Sequence, residues 1–149
     1  MKKFQFSLHT VLGYKQQVLD ELQNQHAVLI QRATQQETVV AELEQEYAEL
    51  NTEFRQVERE GITIAQVMTY ENGLRVLERR IKQAMETLEQ CRREVERKRE
   101  QVVDARKETA SLEKLREQKL EMYRKAVQKD EEQFIEELVS SRGVSAGMG

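Results

Sequence analysis

The chain has 149 residues, no proline, 5% aromatic residues, 34% charged residues and a net charge of −3. This composition is typical of a long helix or coiled coil, whose thin buried seam leaves little room for a catalytic cleft. The near-balanced charge argues against a nucleic-acid binder, and no apolar run approaches the length of a membrane span.

The N-terminal stretch predicts a short non-helical segment followed by a long helix. Phe4 and Phe6 alternate with polar residues, and Ser7 is a suitable N-cap for a first helix over residues 8–60. Seam residues then recur in alternating steps of four and three, which is the heptad spacing of a coiled coil. The first seam comprises Leu8, Leu12, Lys15, Leu19, Leu22, His26, Leu29, Ala33, Gln36, Val40, Leu43, Tyr47, Leu50, Phe54 and Val57.

Residues 61–63 are the predicted turn between two helices. Gly61 can end a helix in a left-handed conformation, and Thr63 with Gln66 three positions later forms the pattern of a capping box. Ile62 and Val67 occupy the positions of a hydrophobic staple. Asn72-Gly73 is a rival turn site, but a turn there would leave the capping box without a function.

A second helix is predicted over residues 64–139. Its seam comprises Val67, Tyr70, Leu74, Leu77, Ile81, Ala84, Leu88, Cys91, Val95, Lys98, Val102, Ala105, Thr109 and Leu112. If the chain folds back at residue 62, seam positions whose numbers add to 124 face each other. The regular layers then pair Val57 with Val67, Phe54 with Tyr70, Leu50 with Leu74, and Leu43 with Ile81. The irregular layers pair Ala33 with Cys91, His26 with Lys98, and Lys15 with Thr109.

This matching predicts an all-α fold, a long antiparallel two-helix coiled-coil hairpin that forms a single domain over residues 1–149. Polar layers would help to fix its register. Because the hairpin is complete within one chain, we expect a monomer. The lone Cys91 is typical of a reduced cytosolic protein without disulfides, so we expect a cytoplasmic location.

The second helix is predicted to extend past the start of the first and to overhang it. A stripe of apolar residues continues there, through Leu120, Tyr123, Val127, Phe134 and Leu138. Phe4 and Phe6 can cover only its beginning, so the rest is a candidate binding surface. The alternative is a frayed end that dimerisation stabilises. Residues 140–149 have the composition of a disordered tail.

No sequence pattern supports catalysis, a metal site or a cofactor. The chain lacks phosphate-binding glycine loops, spaced Cys/His clusters and a nucleophile elbow. His26, at a seam position, is interpreted as a polar layer of the coiled coil. The basic run over residues 92–99 is interleaved with glutamates and has no aromatic neighbours, which argues against nucleic acid. We therefore expect a non-enzymatic protein.

Several stretches together resemble the flagellar export protein family FliJ, over nearly the whole chain. They are Phe4-x-Phe6-x-Leu8-x-x-Val11-Leu12-x-x-Lys15, the Gly61 turn with the later Tyr70-x-x-x-Leu74, Glu113-Lys114-Leu115-Arg116-Glu117 with Tyr123, and Asp130-Glu131. No single stretch is specific, but their order and the F-x-F-x-L opening favour this family. Two alternatives stay open: a structural coiled-coil dimer without an ATPase partner, and the related stalk protein of a virulence-type secretion system.

The resemblance implies a stalk component of the bacterial flagellar type III export apparatus. Its implied partners are the hexameric export ATPase FliI, its partner FliH, the export gate protein FlhA and export chaperones, which would place it peripherally at the inner face of the cell membrane. In the family, the joined helix ends enter the ATPase ring. The implied ring-docking residues are Phe4, Leu8, Leu120, Tyr123, Val127 and Phe134.

The resemblance also implies a contact with the export gate just past the turn. The aligned positions are Gly73, Leu77, Arg80 and Ala84. The chain departs from the family pattern at Gly73 and Ala84, where some relatives have a bulky aromatic residue and a histidine. Leu77 is also a seam residue opposite Tyr47, so it has an equally good structural explanation.

Overall fold

The computed structural model describes residues 2–147, with the side chains of residues 2–143. It contains two helices, α1 (His9–Glu60) and α2 (Ile64–Gly147), and no strand among the residues it describes. The two helices pack against each other, which confirms the all-α helical hairpin.

The first helix begins one residue later than predicted. Ser7 and Leu8 form a turn, and the His9 N–H donates to the Phe6 carbonyl at 3.0 Å. The Leu12 N–H then donates to the Leu8 carbonyl at 2.8 Å, so Leu8 occupies the cap position that was predicted for Ser7. Phe6, whose carbonyl accepts the bond from His9, is buried.

The turn between the helices has the predicted chemistry. Gly61 adopts φ of 99°, a conformation that glycine reaches without a steric penalty. The Gln66 side chain accepts from the Thr63 N–H at 3.0 Å, and the Thr63 hydroxyl accepts from the Gln66 N–H at 3.2 Å. This reciprocal pair is a capping box, and it confirms Thr63 as the residue that starts α2.

Replacing Thr63 by alanine should therefore destabilise the start of α2. The substitution removes the acceptor for the Gln66 N–H, and lost caps of this kind cost about 1 kcal/mol. Urea unfolding followed by circular dichroism would measure the change. Thr69→Ala is the control, because the Thr69 hydroxyl bonds only to the Ala65 carbonyl of its own helix. An equal effect of both substitutions would contradict the capping role.

The chain divides into two compact units, one formed by Met1–Asp20 with Asp104–Gly149 and the other by Glu21–Val103. The predicted single domain covers both and stays a prediction. In the Glu21–Val103 unit, the buried Val40, Ala84 and Leu88 form a core cluster with Leu43 packed against it. Val40 and Ala84 are positions that the fold-back register places opposite each other.

The register in the Glu21–Val103 unit holds near the turn as well. The Phe54 and Tyr70 rings lie 5.2 Å apart between centroids, as the predicted pairing requires. The Tyr70 hydroxyl donates to Glu53 at 3.2 Å, and the Tyr47 hydroxyl donates to Glu78 at 3.2 Å. Aromatic seam residues thus fix the two helices with their rings and with their hydroxyl groups.

In the unit that contains both chain ends, a charged pair joins the helices. Lys15 Nζ donates to Glu108 at 2.7 Å, and this hydrogen bond raises the pKa of the lysine. Thr109, the predicted partner of Lys15, is buried, and its hydroxyl donates to the Ala105 carbonyl at 2.9 Å. The lysine therefore bonds to the residue beside its predicted partner, because a carboxylate is the stronger acceptor.

A similar displacement occurs at the His26 layer. Lys98 Nζ donates to Gln25 at 2.9 Å, and His26 Nε2 is buried without a hydrogen-bond partner among the described residues. Polar side chains do collect at this level of the seam. The lysine thus bonds to the residue beside its predicted partner, and this hydrogen bond is exposed.

The C-terminal end of α2 differs from the prediction. The second helix was expected to end at Val139, with a disordered tail over residues 140–149. The observed helix continues to Gly147, and residues 148 and 149 lie outside the described residues. Once a long helix exists, each further residue adds a hydrogen bond without a new nucleation cost, so Gly143 and the serines do not stop it.

Candidate partner-docking surface

The N-terminal segment packs against α2 and covers the first part of the apolar stripe. The Tyr123 hydroxyl donates to the Lys2 carbonyl, and the Phe4 and Tyr123 rings lie 5.6 Å apart at 49°. The Arg116 guanidinium lies 5.9 Å from the centre of the Phe4 ring, within cation–π range. Phe4, Leu8 and Tyr123 are consequently half-buried within their own chain.

The stripe changes character after Val127. Leu120, Tyr123 and Val127 are half-buried, whereas every residue from 128 to 143 is exposed. We call residues 128–143 the uncovered segment. Five of the six predicted docking residues are therefore half-buried, and of these Phe4 and Tyr123 are in contact, whereas the sixth, Phe134, is exposed.

Four large apolar side chains of the uncovered segment point into solvent. They are Phe134, exposed to 62%, Ile135 to 58%, Leu138 to 46% and Val139 to 65%. We call these four residues the apolar face. Single exposed apolar residues are ordinary on protein surfaces, but four within six positions of one helix form a contiguous patch of the kind that binds a partner.

Ile135 and Val139 were not among the predicted docking residues. A heptad has about one seam residue per turn, so the predicted stripe contained Phe134 and Leu138 and omitted the residues that follow them. The sequence did contain the signal. Two adjacent apolar pairs, four positions apart, widen the stripe beyond the two-position seam of a coiled coil.

The predicted gate residues lie mostly against the other helix. Leu77 and Ala84 are buried, and a Cβ added to Gly73 would lie 3.1 Å from Leu50 Cδ2. Arg80 is the one member of the set with an exposed side chain. Gly73 thus permits close helix packing, and only Arg80 presents its side chain to an incoming molecule.

The described residues offer no site for a metal ion. No group of three or more His, Cys, Asp and Glu side chains is arranged to hold one in this part of the chain. Among the same residues, neither helix is apolar over enough of its length to span a bilayer.

Comparison with known protein families gives one informative match. The family described as Flagellar FliJ protein matches residues 4–147. Neither the curated proteins nor the solved structures yield a match. The family match covers nearly the whole chain and agrees with the helical hairpin, the F-x-F-x-L opening and the Gly61 turn. The chain therefore belongs to the flagellar FliJ family, whose members are structural components associated with flagellar export.

Proposed function

We propose that this chain is a non-enzymatic coupling component of the flagellar type III export apparatus, and that the uncovered segment docks in the ring of the export ATPase FliI. One observation carries the proposal: the apolar face of α2 extends beyond the part of the helix that its own chain covers. Family membership supplies the context of flagellar export.

The apolar face has the spacing of a helix that binds in a groove. Phe134 and Leu138 are four positions apart, as are Ile135 and Val139, so both pairs lie along one side of the helix. The half-buried Leu120, Tyr123 and Val127, with Phe4 and Leu8, continue this surface toward the hairpin. They would form the rim of the contact, with the apolar face at its centre.

The coupling is mechanical in this proposal. A single helix end inside a ring of repeated subunits contacts those subunits unequally. It therefore stabilises some nucleotide states more than others, and it changes their equilibrium only by that difference in affinity. The chain itself supplies no catalytic group to this process.

We place the contact with the export gate protein FlhA on the face of α2 that carries Gly73, Leu77, Arg80 and Ala84. Since the Arg80 side chain is exposed, it can form the contact without opening the hairpin. This contact would hold the chain peripherally at the inner face of the membrane. FliH and export chaperones complete the proposed set of partners.

Substituting Phe134 with serine tests the docking proposal. The exposed ring makes no packing contribution to the hairpin, so helicity should be unchanged, whereas the contact loses its largest apolar side chain. We expect about ten times more protein to be needed for half-maximal stimulation of the FliI ATPase, as for the loss of a central contact residue.

Val28→Ser is the matched control, because Val28 is also exposed, to 53%, but lies on α1 outside the proposed surface. It should stimulate the ATPase as the unaltered chain does. Equal stimulation by the Phe134 and Val28 variants would refute docking through the apolar face.

A further inference from the structure

Two opposite charges share the side of α2 that carries the apolar face. At about 100° per residue, the four apolar residues occupy an arc of about 140° around the helix. Glu131 lies within this arc, one turn before Phe134, and Arg142 lies within it, one turn after Leu138. The order along this side is therefore acid, apolar centre, base.

This order is self-complementary when the helix meets an antiparallel copy of itself. The two-fold axis passes between the two helices at the level of residues 136 and 137. It places the row of Phe134 and Leu138 beside the same row of the second copy, and likewise the row of Ile135 and Val139. The contacts that result are Phe134 with Leu138, Ile135 with Val139, and Glu131 with Arg142, and each of them forms twice. Apolar side chains meet apolar ones, and each acid meets a base.

The other charged residues of the uncovered segment all lie outside the arc; they are Lys129, Asp130, Glu132, Glu136 and Glu137. Glu136 and Glu137 lie beyond the arc, on the side of the helix that faces away from the second copy. Neither Glu131 nor Arg142 makes an ion pair with its own chain among the residues that the structure describes, and both are exposed. Both side chains are thus available to a second copy.

We propose that the uncovered segment binds a second copy of this chain, antiparallel and about a two-fold axis, through the apolar face and two Glu131–Arg142 ion pairs. The six residues that each copy contributes are fewer than in a standard stable interface, so the association is weak and reversible. The chain is a monomer when dilute, because each hairpin is complete by itself. This inference goes beyond the proposed function, since it needs no ATPase.

Sedimentation equilibrium of the purified full chain over a series of concentrations tests the proposal. The weight-average mass should rise toward twice the monomer mass as the concentration increases. Glu131→Arg alone and Arg142→Glu alone should each weaken self-association about tenfold, because each variant replaces two attractive contacts by two repulsive ones. Circular dichroism would verify that both variants remain helical.

Mixing the two charge variants gives the decisive result. One variant carries only arginines at these two positions and the other only glutamates, so a mixed pair recovers both ion pairs. The mixture should associate about as well as the unaltered chain. A monomer at every concentration would overturn the proposal, and so would association that neither single variant weakens or that mixing does not restore. ATPase stimulation is measured separately, so either proposal can fail alone.

Discussion

Replacing Leu88 by aspartate is expected to lower the free energy of unfolding by about 3–4 kcal/mol. Leu88 is buried in the core cluster with Val40 and Ala84. The change removes a buried leucine and adds a carboxylate that has no cation beside it within the seam. Typical proteins have a free energy of unfolding of about 5–15 kcal/mol, so a loss of this size is a large part of the total stability.

Urea unfolding of the Leu88 variant would measure this effect. Met85→Asp is the control, since Met85 lies on the same helix three positions earlier and is exposed. It introduces the same residue at nearly the same place, and we expect a change within about 0.5 kcal/mol. Similar losses at both positions would mean that α2 does not pack on α1 in this register.

Ending the chain at Gln128 is expected to abolish stimulation of the FliI ATPase. This deletion removes the whole apolar face and every other residue of the uncovered segment except Gln128. Every residue from 128 to 143 is exposed, so the hairpin should keep its urea midpoint. The measurement is the ATPase rate as a function of added chain.

A chain ending at Gly143 is the matched control for this deletion. This chain keeps the apolar face and lacks only residues 144–149, so it should stimulate the ATPase as the full chain does. Full stimulation by the chain that ends at Gln128 would place the docking surface elsewhere.

The hairpin could be predicted because local and long-range signals agree. Gly61 with the Thr63 capping box fixes one turn, and the two heptad seams match only when the chain folds there. The Phe54–Tyr70 pair follows directly from that match. Consistency between turn chemistry and periodicity is what makes one register more stable than its alternatives.

The end of α2 could not be predicted in the same way. Serine and glycine near residues 140–147 are weak helix formers, and composition alone indicated disorder. Propagation from a helix of 84 residues outweighs these small local preferences. Composition describes a segment by itself, whereas its structure depends on what precedes it.

The two predicted contact sets differ in burial for a physical reason. Leu77 and Ala84 are seam residues, and the heptad that makes the hairpin buries them. Phe134 lies beyond the last layer, where the same apolar spacing has no partner helix to face. Periodicity alone cannot distinguish a seam residue that packs against the other helix from an apolar residue that has no partner helix. The fold-back register can, because it shows where the first helix begins.

Photo-crosslinking to the ATPase tests the central claim most directly. A photoreactive amino acid would be placed at Ile135, on the apolar face, and in a second variant at Val28. With hexameric FliI, we predict a crosslink to the ATPase from residue 135 and none from residue 28. A crosslink from residue 28 with none from residue 135 would contradict docking through the uncovered end of α2.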